Sequence, residues 1–323
     1  MTTKDHVPDT KRHAHTTDNP TTAKEPGMSS SNFATQSPIA VTLDLYVADV
    51  HIVASDRTDT VVEVRPSNPG KKADVKAVEE TSVEYDEATG ALSVVTRKPR
   101  NRFVNFTKRS ESINVVISLP TDSEVRGESE LGDYRTEGLL GAVALKTGYG
   151  AVRISETAAL KVRTGLGEVT VGEASGSADV RSGSGEIRIG SVDGTADVST
   201  SNGTIRIGTV TGPASVKVSN GALSVDRALS DITAANSNGE VRIGEVVRGK
   251  VSATSKNGRV DVGIREGSAA WLELNTTVGR VYNELDSSSA PDTGEAVDKV
   301  EVRASTKLGD VVVRRTPRLE QNA

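Results

Sequence analysis

Ser184-Gly185-Glu186-Ile187-Arg188-Ile189-Gly190 returns as Asn202-Gly203-Thr204-Ile205-Arg206-Ile207-Gly208 and again as Asn238-Gly239-Glu240-Val241-Arg242-Ile243-Gly244. Each phrase opens on a glycine, runs four residues in polar/apolar alternation and closes on a second glycine. Equivalent first glycines stand at Gly132, Gly150, Gly167, Gly185, Gly203, Gly221, Gly239, Gly258, Gly279 and Gly309, spaced 18, 17, 18, 18, 18, 18, 19, 21 and 30 residues apart. Self-similarity at a fixed period of this size marks a repeat architecture in which each unit packs only on its neighbours.

Counting from the phrase glycine assigns the inward positions. In the Gly185 repeat they are Ile187, Ile189, Val192, Ala196 and Val198; in the Gly203 repeat, Ile205, Ile207, Val210, Ala214 and Val216. Two strands of four or five residues fit into each repeat, with glycine corners between them, and strands stack about 4.8 Å apart. The fold class expected is therefore all-β: a parallel β-solenoid of about ten 18-residue rungs, two sheets facing across a thin core of Val, Ile and Ala. Aromatics make up 3% of the 323 residues and Gly numbers 30, which agrees with a core of small and β-branched side chains.

The rest of the chain is read around this array. Residues 1–37 are poor in large apolar side chains and are expected to be a disordered tail. Met28 before Ser29-Ser30-Ser31 offers an alternative start. A single solenoid domain is expected over residues 38–316, beginning with degenerate, irregular N-terminal rungs over 38–130. Strands are predicted in the runs Ile39–Leu45, Val50–Ile52, Val61–Val64, Ser82–Tyr85, Ala91–Thr96 and Ser112–Leu119, with a short helix or charged loop over Lys71–Glu80. Regular repeats fill 131–285, residues 286–298 read as an exposed loop, 299–316 as the final rung and 317–323 as a polar tail. Leu139, Leu140, Trp271, Leu272, Leu274 and Leu285 are candidate end caps, because a bare terminal strand invites pairing.

The residue before the phrase glycine is Asn202, Asn220, Asn238 and Asn257 in four successive repeats. Both members of an Asn-Gly pair tolerate positive φ. Stacked rungs would place the four amides above one another as a hydrogen-bonded structural ladder.

The formal charge of −5, from 39 basic and 44 acidic residues, disfavours bulk attraction to nucleic acid or anionic membranes. The absence of cysteine excludes disulfides, thiolate metal sites and a cysteine nucleophile. No apolar run reaches the length of a signal peptide or the ~20 residues of a membrane helix, so a cytoplasmic chain is expected. Of the four histidines, His6, His13 and His15 lie in the tail and His51 on a strand, so no metal and no cofactor are expected.

Glu168, Glu186 and Glu240 form one outward column and Asp179 and Asp197 another; Arg188, Arg206 and Arg242 follow the glutamates two positions along. One carboxylate per rung, paired with arginine, reads as cross-strand ion pairing on a solvated face, so an enzyme is not expected. The anomaly is Arg97-Lys98-Pro99-Arg100-Asn101-Arg102-Phe103-Val104-Asn105-Phe106-Thr107-Lys108-Arg109. Its Arg97, Lys98, Arg100, Arg102, Phe103, Phe106, Lys108 and Arg109 form a candidate contact loop, able to grip an anionic partner or to cap the solenoid.

The repeated phrase resembles a bacterial β-strand-repeat family of unknown function labelled "putative adhesin", in its actinobacterial form. The segments Pro38-Ile39 to Asp59-Thr60-Val61-Val62-Glu63-Val64-Arg65-Pro66 and Val262-Gly263-Ile264-Arg265-Glu266-Gly267-Ser268-Ala269-Ala270-Trp271-Leu272 carry the likeness beyond the repeat. The resemblance spans about residues 37–316 and implies a toast-rack-like stack of rungs, no established enzymatic activity and, in relatives fused to membrane segments, envelope-stress contexts. It defines no functional residues. The reading that follows is a non-catalytic scaffold presenting a flat Thr, Ser, Glu and Arg face to another protein or to its own copy. Alternatives are a polysaccharide-binding or polysaccharide-active protein, and a nucleic-acid or membrane-surface accessory acting through residues 97–109.

Overall fold

A computed structural model describes residues 27–96, 111–285 and 298–317. The described chain starts with β1 (Ser29–Ala34), β2 (Ala40–Asp44), β3 (Ala48–Ser55), β4 (Asp59–Pro66), helix α1 (Lys72–Glu79), β5 (Ser82–Asp86), β6 (Ala91–Val95), β7 (Ile113–Pro120) and β8 (Glu124–Leu131). Two long strands follow, β9 (Tyr134–Tyr149) and β10 (Val152–Leu166). Regular rungs are β11 (Val169–Ala174) with β12 (Ala178–Ser184), β13 (Ile187–Val192) with β14 (Ala196–Asn202), and β15 (Ile205–Val210) with β16 (Ala214–Asn220). They continue as β17 (Leu223–Ala228) with β18 (Ile232–Asn238), and β19 (Val241–Val246) with β20 (Gly249–Asn257). The C-terminal strands are β21 (Val260–Arg265), β22 (Ala269–Val278), β23 (Val281–Glu284), β24 (Lys299–Leu308) and β25 (Val311–Thr316).

All strands belong to one 25-stranded sheet folded into two facing layers. The first layer runs β1-β4-β7-β3-β9-β10-β11-β13-β15-β17-β19-β21-β25-β23. The second runs β5-β6-β2-β8-β9-β10-β12-β14-β16-β18-β20-β24-β22. Strands β9 and β10 join the layers: their first residues pair in one and their last in the other. Pairing is parallel except at the N-terminal end, where β1–β4, β4–β7 and β5–β6 are antiparallel.

The two-residue period of the phrase becomes inside/outside alternation, because successive side chains on a strand point to opposite faces. Ile187, Ile205, Leu223, Val241 and Val260 lie on one another in register. Ile187, Ile189, Val192, Ala196, Val198 and their counterparts one rung on are all buried. A second inner column, absent from the sequence expectation, lines the glycine corner with small polar groups. Thr306 Oγ1 donates to Gly258 O at 2.9 Å, Ser255 Oγ to Gly239 O at 3.0 Å and Asn236 Nδ2 to Gly221 O at 2.8 Å. These bonds satisfy corner carbonyls that would otherwise be buried without a partner.

The corner itself admits only glycine. Gly203 sits at φ +144°, and a Cβ there would stand 2.0 Å from the carbonyl oxygen of Gly185. The preceding asparagines do not share this backbone: the one non-glycine at positive φ among the described residues is Asp122. Their role is therefore not turn conformation.

The structure corrects the expected chain path in three places. The tail expected over residues 1–37 ends earlier, because Ser29–Ala34 forms β1 along the edge of β4. Residues 299–316 are not the last rung: β24 and β25 insert between β20/β21 and β22/β23, leaving residues 269–284 outermost. The inward positions explain the swap. Val300, Val302, Ala304, Val311 and Val313 suit a rung covered on both sides, whereas β23 presents Val281 and Asn283, and an amide there is satisfied only near water. Finally, Trp271 and Leu139 are exposed and cap nothing, while Leu140 is fully buried and Leu272, Leu274 and Leu285 pack partly against the core.

Tyr134, at the start of β9, is the largest fully buried side chain among the described residues, and its ring fills the space beside Gly127. Burial pushes its phenol up to about 12, against a lowering pull from the Ser129 hydroxyl. The unfolded phenol ionises near 10, so the unfolded state sheds the proton first. Stability contributed by Tyr134 is complete below about pH 10 and falls as pH rises towards 12. Alkaline unfolding curves should show this loss in the wild type and a flatter pH dependence in Tyr134→Phe. Separately, Gly203→Ala should cost about 3 kcal/mol, combining positive-φ strain with the carbonyl clash, measured by urea unfolding followed by circular dichroism.

Candidate functional site

The outward positions divide into surfaces of different chemistry. On the first layer, Arg188 reaches Glu168 at 2.6 Å and Glu186 at 2.6 Å, and Arg206 reaches the same Glu186 at 2.9 Å. Glu186 thus meets guanidinium groups from its own and the next rung, while Glu168 meets that of the next rung and the Thr170 hydroxyl of its own. This is the geometry of a sheet-stabilising ion lattice, not of an acid and a base flanking a reacting bond. Deeper in the same layer Glu245 accepts from Arg265 at 2.8 Å, and Asp261 from Arg259 at 3.2 Å and Arg314 at 3.1 Å. His51 Nε2 lies 3.2 Å from Glu137 Oε1. Although desolvation raises the Glu137 carboxyl, hydrogen bonds from Arg135 and His51 hold it below the ordinary glutamate range.

The amide column is continuous. Asn257 Nδ2 donates to Asn238 at 2.7 Å, Asn238 to Asn220 at 2.8 Å and Asn220 to Asn202 at 3.0 Å, while Asn202 reaches Ser184 Oγ at 3.4 Å. Along the stack the same position continues as Leu166, Tyr149 and Leu131 on one side and Leu308 and Val278 on the other. All five are exposed.

The second layer's outer face changes character along the stack. Towards β10 it carries ion pairs: Arg163–Asp179 at 3.2 Å, Arg181–Asp179 at 3.0 Å and Arg181–Asp197 at 3.0 Å. Between β14 and β24 a shallow trough of about 660 Å3 interrupts the pairing, which resumes where Arg303 meets Glu273 at 3.2 Å and Glu301 at 3.0 Å. Ser199, Ser219, Ser237 and Thr254 line it with hydroxyls, and Lys217, Lys256 and Lys307 supply charge; no carboxylate is among its lining residues. Beside it a hollow of about 670 Å3 contains Lys250, Trp271 and Arg303, together with Asp231 and Glu301. The Arg303 guanidinium carbon sits 5.8 Å from the Trp271 ring centroid.

The conspicuous Glu-x-Arg phrase lies on the first layer and gives no sign of this trough on the second. The signal was present in the second strand of each repeat, where the outward column changes from Arg163 and Arg181 to Ser199, Lys217, Ala235 and Thr254. The proposed contact loop, with Arg97, Lys98, Arg100, Arg102, Phe103, Phe106, Lys108 and Arg109, lies outside the described residues, as do His6, His13, His15 and residues 286–297. Among the described residues, no cluster of three or more His, Cys, Asp or Glu side chains is placed to hold a metal ion.

The model of the family described as Toastrack DUF4097 matches residues 40–314. No curated protein matches the chain. Among solved structures, one labelled "Putative lipid binding protein" from Parabacteroides distasonis is 15% identical, with 90% of this chain and 96% of that one covered and a TM-score of 0.36. A "putative adhesin" from the same organism is 11% identical over 88% and 96%, with a TM-score of 0.35. A "putative cell adhesion protein" from Clostridium sporogenes is 10% identical over 90% and 100%, with a TM-score of 0.22.

Asn220 sits mid-ladder, donating one amide bond and accepting another. Asn220→Ala should lower unfolding free energy by about 1 kcal/mol, at the level of one or two solvent-facing neutral hydrogen bonds. Urea unfolding measures it, and an unchanged midpoint would show the ladder to be energetically neutral.

Proposed function

This chain belongs to the Toastrack DUF4097 family, and we propose that it is a non-catalytic binding scaffold whose recognition face is the trough on the second layer, taking an extended acidic polysaccharide. The observation that carries this reading is the segregation of charge. Arg188 and Arg206 on the first layer and Arg163 and Arg181 on the second are engaged with carboxylates, whereas Lys217, Lys256 and Lys307 line a trough of hydroxyls and amides with no carboxylate among its lining residues, Lys217 also bordering a neighbouring hollow that holds Asp179, Asp197 and Asp231.

The spacing suits a linear polymer. Lys217, Lys256 and Lys307 lie on β16, β20 and β24, so the first two are two rungs apart and the last two are adjacent. At about 4.8 Å per rung, the lysines span roughly 15 Å, a reach for successive carboxylates along a sugar chain. Ser and Thr hydroxyls between them donate to or accept from sugar hydroxyls, and exposed Trp271 at the end of the same face provides a flat apolar surface with a polar edge. Complementary charge gives such a surface its selectivity for acidic over neutral chains. A glycan ligand also calls for a chain that meets the cell envelope, in place of the cytoplasm suggested by the sequence.

Titration with polygalacturonate or alginate, against neutral dextran, tests the proposal. The wild type should bind the acidic chains and weaken as salt rises; Lys217→Ser/Lys256→Ser/Lys307→Ser should lose at least tenfold in affinity with an unchanged circular dichroism spectrum. Equal binding by the triple variant, or release of reducing ends from the polymer, would overturn it.

A further inference from the structure

The two ends of the stack are built differently. At the N-terminal end the outermost strands, β1 and β5, run antiparallel to their neighbours. Phe33 on β1 and Tyr85 on β5 meet across the layers with centroids 5.1 Å apart, and α1, packed on β4 and β7, buries Val78. Although β1 and β5 also pair on one side only, the inner face at that end is filled by rings. At the other end β22 and β23 each pair on one side only, with β24 and β25. Leu272 and Leu274 face inward but are only partly buried, and Val278, Val281 and Tyr282 are exposed.

An uncovered ten-residue strand with inward leucines and no proline is a pairing template. The chain's own segments outside the described residues are poor covers: residues 1–26 carry only Met1 and Val7 as large apolar side chains. Residues 286–297 contain Asp286, Asp292, Glu295 and Pro291, with Val297 the one large apolar side chain; residues 318–323 offer only Leu319. Residues 97–110, which do carry Phe103 and Phe106, depart from β6 and return at β7, at the closed end. From β6 to β22 is eleven strand steps in the second layer, about 50 Å, whereas a 14-residue loop anchored at both ends reaches out about 25 Å.

We propose that the open end is covered by the same end of a second copy, giving an end-to-end two-fold dimer. A two-fold axis normal to the layers sets β22 antiparallel to its copy while β23 meets its own, so both sheets continue through the junction. The outward charges select the register. With Leu274 on the axis, Glu273 lies opposite Asn275 of the other copy; with Glu273 on the axis, two glutamates would face each other, which is unfavourable. Because the two-fold junction uses the same end of both copies, association through it closes at two and does not continue into a fibre.

Sedimentation velocity on the full chain tests this, with the 33.9 kDa monomer as reference. The wild type should show twice the monomer mass, concentration-dependently, and Leu272→Lys/Leu274→Lys should be monomeric. Should that variant misfold, a second measurement decides. The chain lacks cysteine, so Glu273→Cys and Asn275→Cys, both at outward positions, can be mixed and oxidised. The mixture should form a disulfide-linked pair faster than either variant alone. A wild type that stays monomeric at the highest attainable concentration, or a dimer that persists in the folded lysine variant without cross-linking in the mixture, would overturn the proposal.

Discussion

The rest of the structure depends on one steric contact: from Gly150 onward, the α-carbon of each corner glycine lies against the carbonyl of the corner glycine in the adjacent rung. At Gly203, Gly221 and Gly239 the space for a Cβ is occupied by a backbone oxygen at 2.0, 2.0 and 1.9 Å. This fixes where a rung begins. With the beginning fixed, two-residue alternation sends the same offsets inward in every rung, and a one-residue slip would turn the whole apolar set to water. The thin core of Ile, Val and Ala is a consequence of that registration. No large side chain is needed between layers whose strands already coincide.

The polar residues flanking the glycine form two columns with opposite tasks. Inside, Asn236, Ser255 and Thr306 donate to glycine carbonyls; outside, Asn202 to Asn257 bond to one another. The inner bonds relieve buried acceptors and matter for burial, whereas the outer ones replace bonds to water and tie rungs together only modestly. The closing Leu308 and Val278 show that the outer column does not require an amide, and the absence of positive φ at the asparagines shows that the corner does not either.

Much of this was legible in the sequence because a repeat states each rule several times. The glycine spacing, the inward offsets of Ile187 through Val198 and the stacked asparagines all follow from counting. What could not be counted was the order of the rungs at the ends. Residues 269–284 and 299–316 carry the same phrase, and nothing local says which is outermost; that is settled by whether Asn283 or Val313 must share a covered core. The first strand escaped for a related reason: β1 is a short polar strand whose place comes from the free edge of β4 and from Phe33 meeting Tyr85, a partner 52 residues away in sequence.

In a solenoid, packing dictates the inward positions and leaves the outward ones free, so outward chemistry that is not used for stability is where function is to be sought. By that criterion the Glu-x-Arg phrase is the less informative half of the repeat, since its charges neutralise one another from rung to rung. The second strand is the more informative half. Its outward face begins with arginine–aspartate pairs and, before Arg303 pairs again with Glu273 and Glu301, replaces them with hydroxyls and with lysines that form no ion pair among the described residues, although the inner column beneath keeps its alternation unbroken. A change of outer chemistry over an unchanged core is not required by the fold. Two-fold pairing at the open end would place two such troughs on the same side of one continuous sheet, so a long acidic chain could engage both and gain affinity without any new contact within either copy.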